Sequence, residues 1–262
     1  MDKKPLVVIP ARYGSKRLPG KPLMKIAGLP AILHTLNAVC CTCRMCVTNR
    51  KYDVCLATDH PEIKEAVNDL RPDIDVIETS ADLESGTDRV AQVAFLKPDY
   101  DLFINVQGDM PFINCEVWVD PLIDFMADNA DFDMATPVAA HNFVDQNFRR
   151  KTVTQHVGIY AYRRDALLEF YENRINQHIR ATEIKYGLEQ LRAVALGMRI
   201  KRFAIHKPAP AELNTADDLR YLDYIACRVS ETSEDYWMEM QEKENEREND
   251  LSDEQPDPNS IH

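Results

Sequence analysis

The fold class this sequence predicts is an α/β domain, a mostly parallel sheet with helices on both faces. Three observations carry that expectation. Short apolar, β-rich runs alternate with helical patterns along most of the chain. The first such run opens directly into a loop of glycines and cations. With 45% apolar residues over 262 positions, the chain can bury a substantial core.

The opening run, Leu6–Ile9, reads as a buried strand. Its loop, Pro10 to Leu23, holds Gly14 and Gly20 together with Arg12, Lys16, Arg17 and Lys21. Glycines free backbone N–H groups and the cations add charge-assisted hydrogen bonds, a combination suited to phosphate. The loop is neither G-x-x-x-x-G-K-[ST] nor G-x-G-x-x-G, so adenine-nucleotide readings lose their usual support. The plain alternative is a strand-to-helix connection with solvated charges. Its place at the carboxyl end of the first strand, where open α/β sheets bind ligands, favours a site.

The remaining elements follow in order. Helical patterns cover Ala31–Cys41, Glu62–Leu70, Thr87–Phe95, Val117–Ala127, Ala166–Tyr171, Glu183–Leu196 and Ala216–Ala226. Strand patterns cover Val54–Thr58, Val76–Glu78, Leu102–Val106, Met134–Val138, His156–Tyr162 and Arg202–Ile205. Pro61 marks one helix start and the hydroxyl of Thr215 another. No internal repeat appears, and no linker precedes residue 230, so residues 1–229 are read as one domain.

Charge divides the chain unevenly. The net charge is −12, but residues 230–262 hold twelve acidic and two basic residues, leaving a nearly neutral body. That acidic tail is expected to begin as a helix and end disordered, a solubility segment rather than a partner-binding one. No basic stripe interleaved with aromatics points to nucleic acid. No apolar stretch is long enough for a bilayer and no secretory leader pattern is present, so a cytoplasmic protein is expected. Cys40, Cys41, Cys43 and Cys46 crowd one segment, yet zinc-finger spacing is missing, and apolar packing at a helix end is the preferred reading.

Chemistry is expected where strand ends converge. Asp109 follows Asn105-Val106-Gln107-Gly108, either as a carboxylate for Mg²⁺ bridging to phosphate or as a turn former. Ser85-Gly86-Thr87-Asp88-Arg89 opens a helix, either as an ordinary cap or as a close approach for a phosphate or flat ligand. Alternation puts His156, Gly158, Tyr160 and Tyr162 on one strand face. Glu189 and Gln190 read, on pattern alone, as solvated mid-helix residues.

Taken in order, the first loop, Thr58-Asp59, Ser85–Arg89, Asn105–Asp109, His156–Tyr162 and Leu188–Arg192 resemble 3-deoxy-manno-octulosonate cytidylyltransferases, the CMP-Kdo synthetases, from about Leu6 to Leu222. The resemblance implies a Rossmann-like nucleotidyltransferase fold, CTP and a 2-keto-3-deoxy sugar acid as substrates, and Mg²⁺ as cofactor. It implies a nucleotide set of Ala11, Arg12, Gly14, Ser15, Lys21, Ser85, Gly86 and Thr87, with Arg12, Lys21 and Asp109 as the catalytic groups. Gln107, His156, Tyr160, Glu189 and Gln190 would surround the sugar acid, and Asp109 and Asn214 would hold the metal.

Three departures stand beside that resemblance. Asn214 occupies the place of an aspartate in the family's Val-Asp-Thr-Pro-Glu-Asp-Leu run. A long insert before the His-x-Gly-Ile-Tyr strand, which contributes to dimer contacts and to the sugar carboxylate, is missing. Arg149, Arg150 or Lys151 would replace its arginine or form a solvated turn, and the oligomeric state is left open. The acidic tail has no family counterpart. A nucleotidyltransferase for a different acceptor and a CTP-binding protein with reduced turnover are the competing readings.

Overall fold

A computed structural model of the chain describes residues 4–14, 17–40, 51–144 and 150–228. Ser15, Lys16, Cys41, Cys43, Cys46, Arg149 and the acidic tail lie outside the described residues.

The strand β1, Leu6–Ala11, is buried along its whole length. It pairs in parallel with β4 (Asp53–Thr58) on one side and β6 (Leu102–Val106) on the other. β5 (Asp75–Glu78) adds in parallel to β4. Pro10 and Ala11 stay in register with Ala57 and Thr58, so β1 runs two residues past the apolar run before its loop begins. The crossovers are helical: α1 (Ala31–Cys40), α2 (Pro61–Leu70) and α3 (Gly86–Leu96). A small ribbon, β2 (Lys25–Ile26) with β3 (Leu29–Pro30), closes the first loop.

The second half departs from a parallel pattern. β7 (Met134–Val144) runs six residues beyond the expected Val138 and returns as β8 (Arg150–His156). Of the basic stretch, read either as a replacement for the family's arginine or as a solvated turn, Arg150 and Lys151 lie in this strand. The expected strand His156–Tyr162 is divided, because His156 still pairs with Val138 whereas Ile159 already pairs with Val106. At that change of partner the Ile159 N–H donates to Val157 O at 2.7 Å. β9 (Ile159–Arg163) then lies antiparallel between β6 and β7, and β10 (Ile200–Ile205) is parallel to β7. The sheet order is β10-β7-β9-β6-β1-β4-β5.

Side chains alternate across this sheet as extended strands require. Val7, Ile9, Ile104, Val106, Ile159 and Ala161 face a core with α1, α2, α4 (Cys115–Trp118) and α5 (Asp120–Asp128). Leu6, Val8, Phe103, Tyr160 and Tyr162 face the opposite core with α3, α6 (Arg164–Glu172) and α8 (Gln190–Ala195). Truncating a fully buried member such as Ile9 or Ile104 to alanine costs about 2–5 kcal/mol. A last helix, residues 216–228, joins the ribbon through Ile26, Leu213 and Leu222, and Thr215 Oγ1 caps it by accepting from Asp218 N at 3.2 Å.

The helix expected over Glu183–Leu196 is two helices, α7 (Gln177–Tyr186) and α8. Gly187 separates them at φ +62°, a conformation that favours glycine and terminates α7. Among the described residues, no helix is long and apolar enough to cross a membrane. Cys40 is buried at the end of α1.

Candidate active site

The carboxyl ends of β1 and β6 and the N-terminus of α3 open onto a cavity of about 390 Å³. Pro10, Ala11, Arg12, Arg17, Lys21, Ser85, Gly86, Arg89, Gln107 and Asp109 line it. A second chamber of about 520 Å³ continues from it and is lined by His156, Tyr160, Glu189, Gln190, Glu212 and Asn214. The two share Arg12, Arg17, Glu84, Ser85, Gly86, Gln107 and Asp109, so the cleft is one groove with two compartments and a common wall.

The first compartment is shaped by backbone and cations. The loop folds back on itself through Gly20 N donating to Tyr13 O at 3.1 Å, with Gly20 at φ +67°. Arg12 is exposed and reaches the carbonyl of Glu84 at 3.2 Å. Arg89, almost fully buried, is held by Asp59 at 2.8 Å and by Thr79. Asp59 also receives the Tyr13 N–H at 3.4 Å, so Asp59 fixes the loop and a guanidinium rather than facing a ligand. Ser85 caps α3 by accepting from Asp88 N at 3.0 Å, and the helix N-terminus adds its positive end to the cavity.

Gly108 explains how Asp109 comes to the floor of the groove. A Cβ there would lie 2.9 Å from the Pro10 carbonyl oxygen and 3.0 Å from Ile32 Cδ1, so only glycine lets β6 end against β1. Asp109 Oδ2 accepts from Lys21 Nζ at 2.5 Å. Sequence reading assigns these two groups to different ligands, a metal and a phosphate; the structure pairs them with each other.

The second compartment is a web of side chains. Gln107 Nε2 donates to Asn105 Oδ1 at 3.2 Å, Asn105 Nδ2 to Thr87 Oγ1 at 3.1 Å, and Thr87 Oγ1 to Glu189 Oε1 at 2.7 Å. Thr87 is thus corrected: it is buried and steadies Glu189 rather than lining the first cavity. Glu189 is no mid-helix residue, since it sits at the start of α8 with its carboxyl turned inward; burial pushes its pKa up. His156 Nε2 and Tyr160 OH share a hydrogen bond of 2.7 Å, and Gln190 Nε2 donates to the same hydroxyl. Burial lowers the His156 pKa, which keeps the ring neutral at neutral pH. Gln190 Oε1 is buried without a partner among the described residues, an acceptor held ready in the chamber wall.

Behind that wall lies an ion network invisible to motif reading. Arg192 bonds Asp88 at 2.8 Å and Glu183 at 2.8 and 2.9 Å, and stacks over Phe170 at 4.1 Å. Arg180 ties Glu183 to Glu84 of the nucleotide-side turn. Gly14 is exposed on the first loop, away from both chambers' linings, and Ser15 lies outside the described residues. Glu212 was not anticipated. It is half-buried beside Asp109, and burial together with that neighbouring charge raises its pKa. No motif in the sequence marks it.

A phosphate-suited pocket that runs into a polyol-suited one calls for relatives that join a nucleotide to a second substrate. The family described as cytidylyltransferase matches residues 6–221. The chain belongs to that family. It is 33% identical over 235 residues to the 3-deoxy-manno-octulosonate cytidylyltransferase of Escherichia coli, covering 79% of this chain and 90% of that one. It is 34% identical over 246 residues to the 8-amino-3,8-dideoxy-manno-octulosonate cytidylyltransferase of Shewanella halifaxensis, covering 82% and 95%. Among solved structures it is similar to CMP:2-keto-3-deoxy-manno-octonic acid synthetase complexed with CTP, at a TM-score of 0.71 and 31% identity, covering 86% of this chain and 99% of that one. The Rossmann-like nucleotidyltransferase fold is therefore the fold of this chain.

Proposed function

We propose that this cytidylyltransferase moves CMP from CTP to the anomeric hydroxyl of a 2-keto-3-deoxy sugar acid, Kdo or a close relative, with release of pyrophosphate. The observation that carries the reading is the two-compartment groove whose shared wall holds Gln107 and Asp109. Two substrates bound side by side meet only there.

In this reading Arg12, Arg17 and Lys21 take the triphosphate, with Ser85, Gly86 and the start of α3 supplying main-chain donors. Arg89, anchored by Asp59, adds a fixed positive potential that costs nothing to reorganise. The sugar acid's hydroxyls meet His156, Tyr160, Glu189 and the free acceptor of Gln190. The hydroxyl oxygen attacks the α-phosphorus in line, the bond from that phosphorus to the bridging oxygen breaks, and the hydroxyl proton leaves to water. Most of the acceleration then comes from alignment and charge neutralisation.

The junction suits Mg²⁺. Its donors are hard oxygens, the Asp109 and Glu212 carboxylates, and Mg²⁺ takes one or two carboxylates beside substrate phosphates and waters. Among the described residues, no group of three or more His, Cys, Asp or Glu is placed to cage a metal, so in this reading the nucleotide's phosphates complete the ligand set. When bound, Mg²⁺ would neutralise charge on the departing pyrophosphate. Asn214, expected as a ligand, gives its amide oxygen to Arg17 at 2.8 Å.

The test is pyrophosphate release by purified protein given CTP, UTP, GTP or ATP with Kdo or its 8-amino analogue, with and without Mg²⁺. Release is expected with CTP and at least one of the acids, and only with Mg²⁺. Silence with CTP and every 2-keto sugar acid overturns the reading.

A further inference from the structure

Residues 212–214 run beside the groove as an irregular segment. Leu213 is fully buried in the small core beneath the last helix, and its N–H donates to the Asp109 carbonyl at 2.9 Å. That bond locks the segment against the turn that presents the Asp109 side chain. Leu213 turns into the core, while the residues on either side face the groove. Glu212 and Asn214 accordingly both line the second chamber and touch each other, Asn214 Nδ2 donating to Glu212 Oε2 at 2.9 Å.

The two neighbours are not equivalent. Asn214 has one ligating atom, its amide oxygen, and Arg17 occupies it at 2.8 Å. Glu212 keeps Oε1 free of hydrogen bonds among the described residues, and no described cation forms an ion pair with it. Asp109, by contrast, is neutralised by Lys21 at 2.5 Å. Lys21 and Arg17 lie near enough to attract its charge without pairing with it, and a half-buried carboxylate with no cation in direct contact still gains from one that arrives beside it.

We infer that Glu212 is the second carboxylate that holds the divalent cation with Asp109, and that Asn214 positions it by hydrogen bond instead of ligating. The inference rests on the magnesium reading above and deepens it. Charge that a carboxylate at position 214 would bring is delivered from two residues upstream on the same side of the segment. Lys21 is thereby released toward phosphate when the cation takes its place beside Asp109.

The test is Mn²⁺ binding to the full chain with α,β-methylene-CTP, a nucleotide that cannot be turned over, read by electron paramagnetic resonance of free Mn²⁺. Glu212→Gln, close to isosteric, is expected to weaken Mn²⁺ binding about 10-fold or more. The double variant Glu212→Gln with Asn214→Asp is expected to recover most of that loss. In EDTA, Glu212→Gln is expected to bind the analogue at least as tightly as the parent, because a repelling carboxylate is gone; a merely structural role would weaken it. If Glu212→Gln holds Mn²⁺ like the parent while Asp109→Asn loses it, the assignment of Glu212 is overturned and the magnesium reading stands. If the parent itself takes up no Mn²⁺ with the analogue, the magnesium reading fails, and this inference with it.

Discussion

The nucleotide compartment and the acceptor compartment are built from different materials. On the nucleotide side the working groups are an exposed Arg12, a Lys21 paired with Asp109, and the backbone at the start of α3. On the acceptor side every group is tied to another: Gln107 to Asn105, Asn105 to Thr87, Thr87 to Glu189, and His156 and Gln190 to Tyr160. Behind it stands Arg192 with two buried carboxylates. A triphosphate is flexible and strongly charged, so a loop of cations suffices to collect it. A sugar acid differs from its competitors by the placement of hydroxyls, and discriminating them needs acceptors and donors held in fixed positions. Substitutions on the two sides should therefore fail differently, by lost binding on one and by lost stability or shape on the other.

The largest effect expected is at the back of the acceptor wall. Arg192→Met leaves Asp88 buried without its cation and Glu183 with Arg180 alone, and removing one partner of such a group costs about 3–5 kcal/mol. In a chain of this size each kcal/mol moves the melting temperature by about 2–4 °C. Thermal denaturation should show a drop of that order, or insoluble protein. A melting temperature within a degree of the parent would show that the network is not holding α7 and α8 in place. Replacing Asp88, Glu183 and Arg192 together by apolar residues is a different experiment, since it strands no charge.

Next comes Lys21→Met. The change removes a phosphate cation and leaves Asp109 without its partner in a groove the pair only partly fills. Loss of one preorganised charge contact to the reacting phosphates is worth about 10²–10³ in kcat/KM for CTP. The melting temperature should fall less than in Arg192→Met, because Asp109 keeps more contact with solvent than Asp88. A collapse of stability without a matching kinetic loss would move Lys21 from the nucleotide site to the scaffold.

The contrast between compartments also accounts for what could be read from the chain itself. The nucleotide side is local: a strand, two glycines, four cations and a strand-ending Gly-Asp appear as contiguous runs, and their convergence follows from parallel strands ending on one edge. The acceptor side is assembled from α3, β6, β8, β9 and α8, and although alternation puts His156 and Tyr160 on one face, Glu189 and Gln190 carry no local mark. Glu189 and Gln190 resemble helix-face residues because Leu188 to Leu196 continues the helical period of the preceding stretch; Gly187 breaks it. Only family resemblance points to them. The direction of β9 is equally hidden, since alternation fixes which side a residue faces but not which way a strand runs. Glu212 escapes motif reading because the family pattern draws the eye to the amide two positions later.

A smaller effect, and one that depends on pH, belongs to Glu189. Burial raises its pKa in the folded protein, so between the unfolded value near 4.3 and the folded one the native state holds a proton the unfolded chain has released. Stability from this group is complete below about pH 4.3 and declines as pH rises through the folded pKa. Glu189→Gln removes that decline while keeping an acceptor for the Thr87 hydroxyl. Melting curves of variant and parent should therefore diverge in the variant's favour from acid to neutral pH. The variant should bind the sugar acid less well, with KM for the acid rising more than kcat falls. Parallel melting-temperature profiles across that range would mean that Glu189 is compensated in both states.

The smallest effect separates the two compartments most cleanly. Ser85 lines both chambers, and its hydroxyl accepts the Asp88 N–H at the start of α3 while lying within hydrogen-bonding reach of the Glu189 carboxylate. Ser85→Ala should cost about 1 kcal/mol, the usual worth of a capping hydroxyl, and lower the melting temperature by a few degrees. Ser85→Gly should cost only a few tenths of that, because glycine is itself tolerated at the cap. KM for CTP should follow the same order, because fraying of the first turn loosens the N–H groups offered to phosphate. If KM for the sugar acid rises while KM for CTP holds, the hydroxyl belongs to the acceptor, and the border between the compartments runs on the other side of α3.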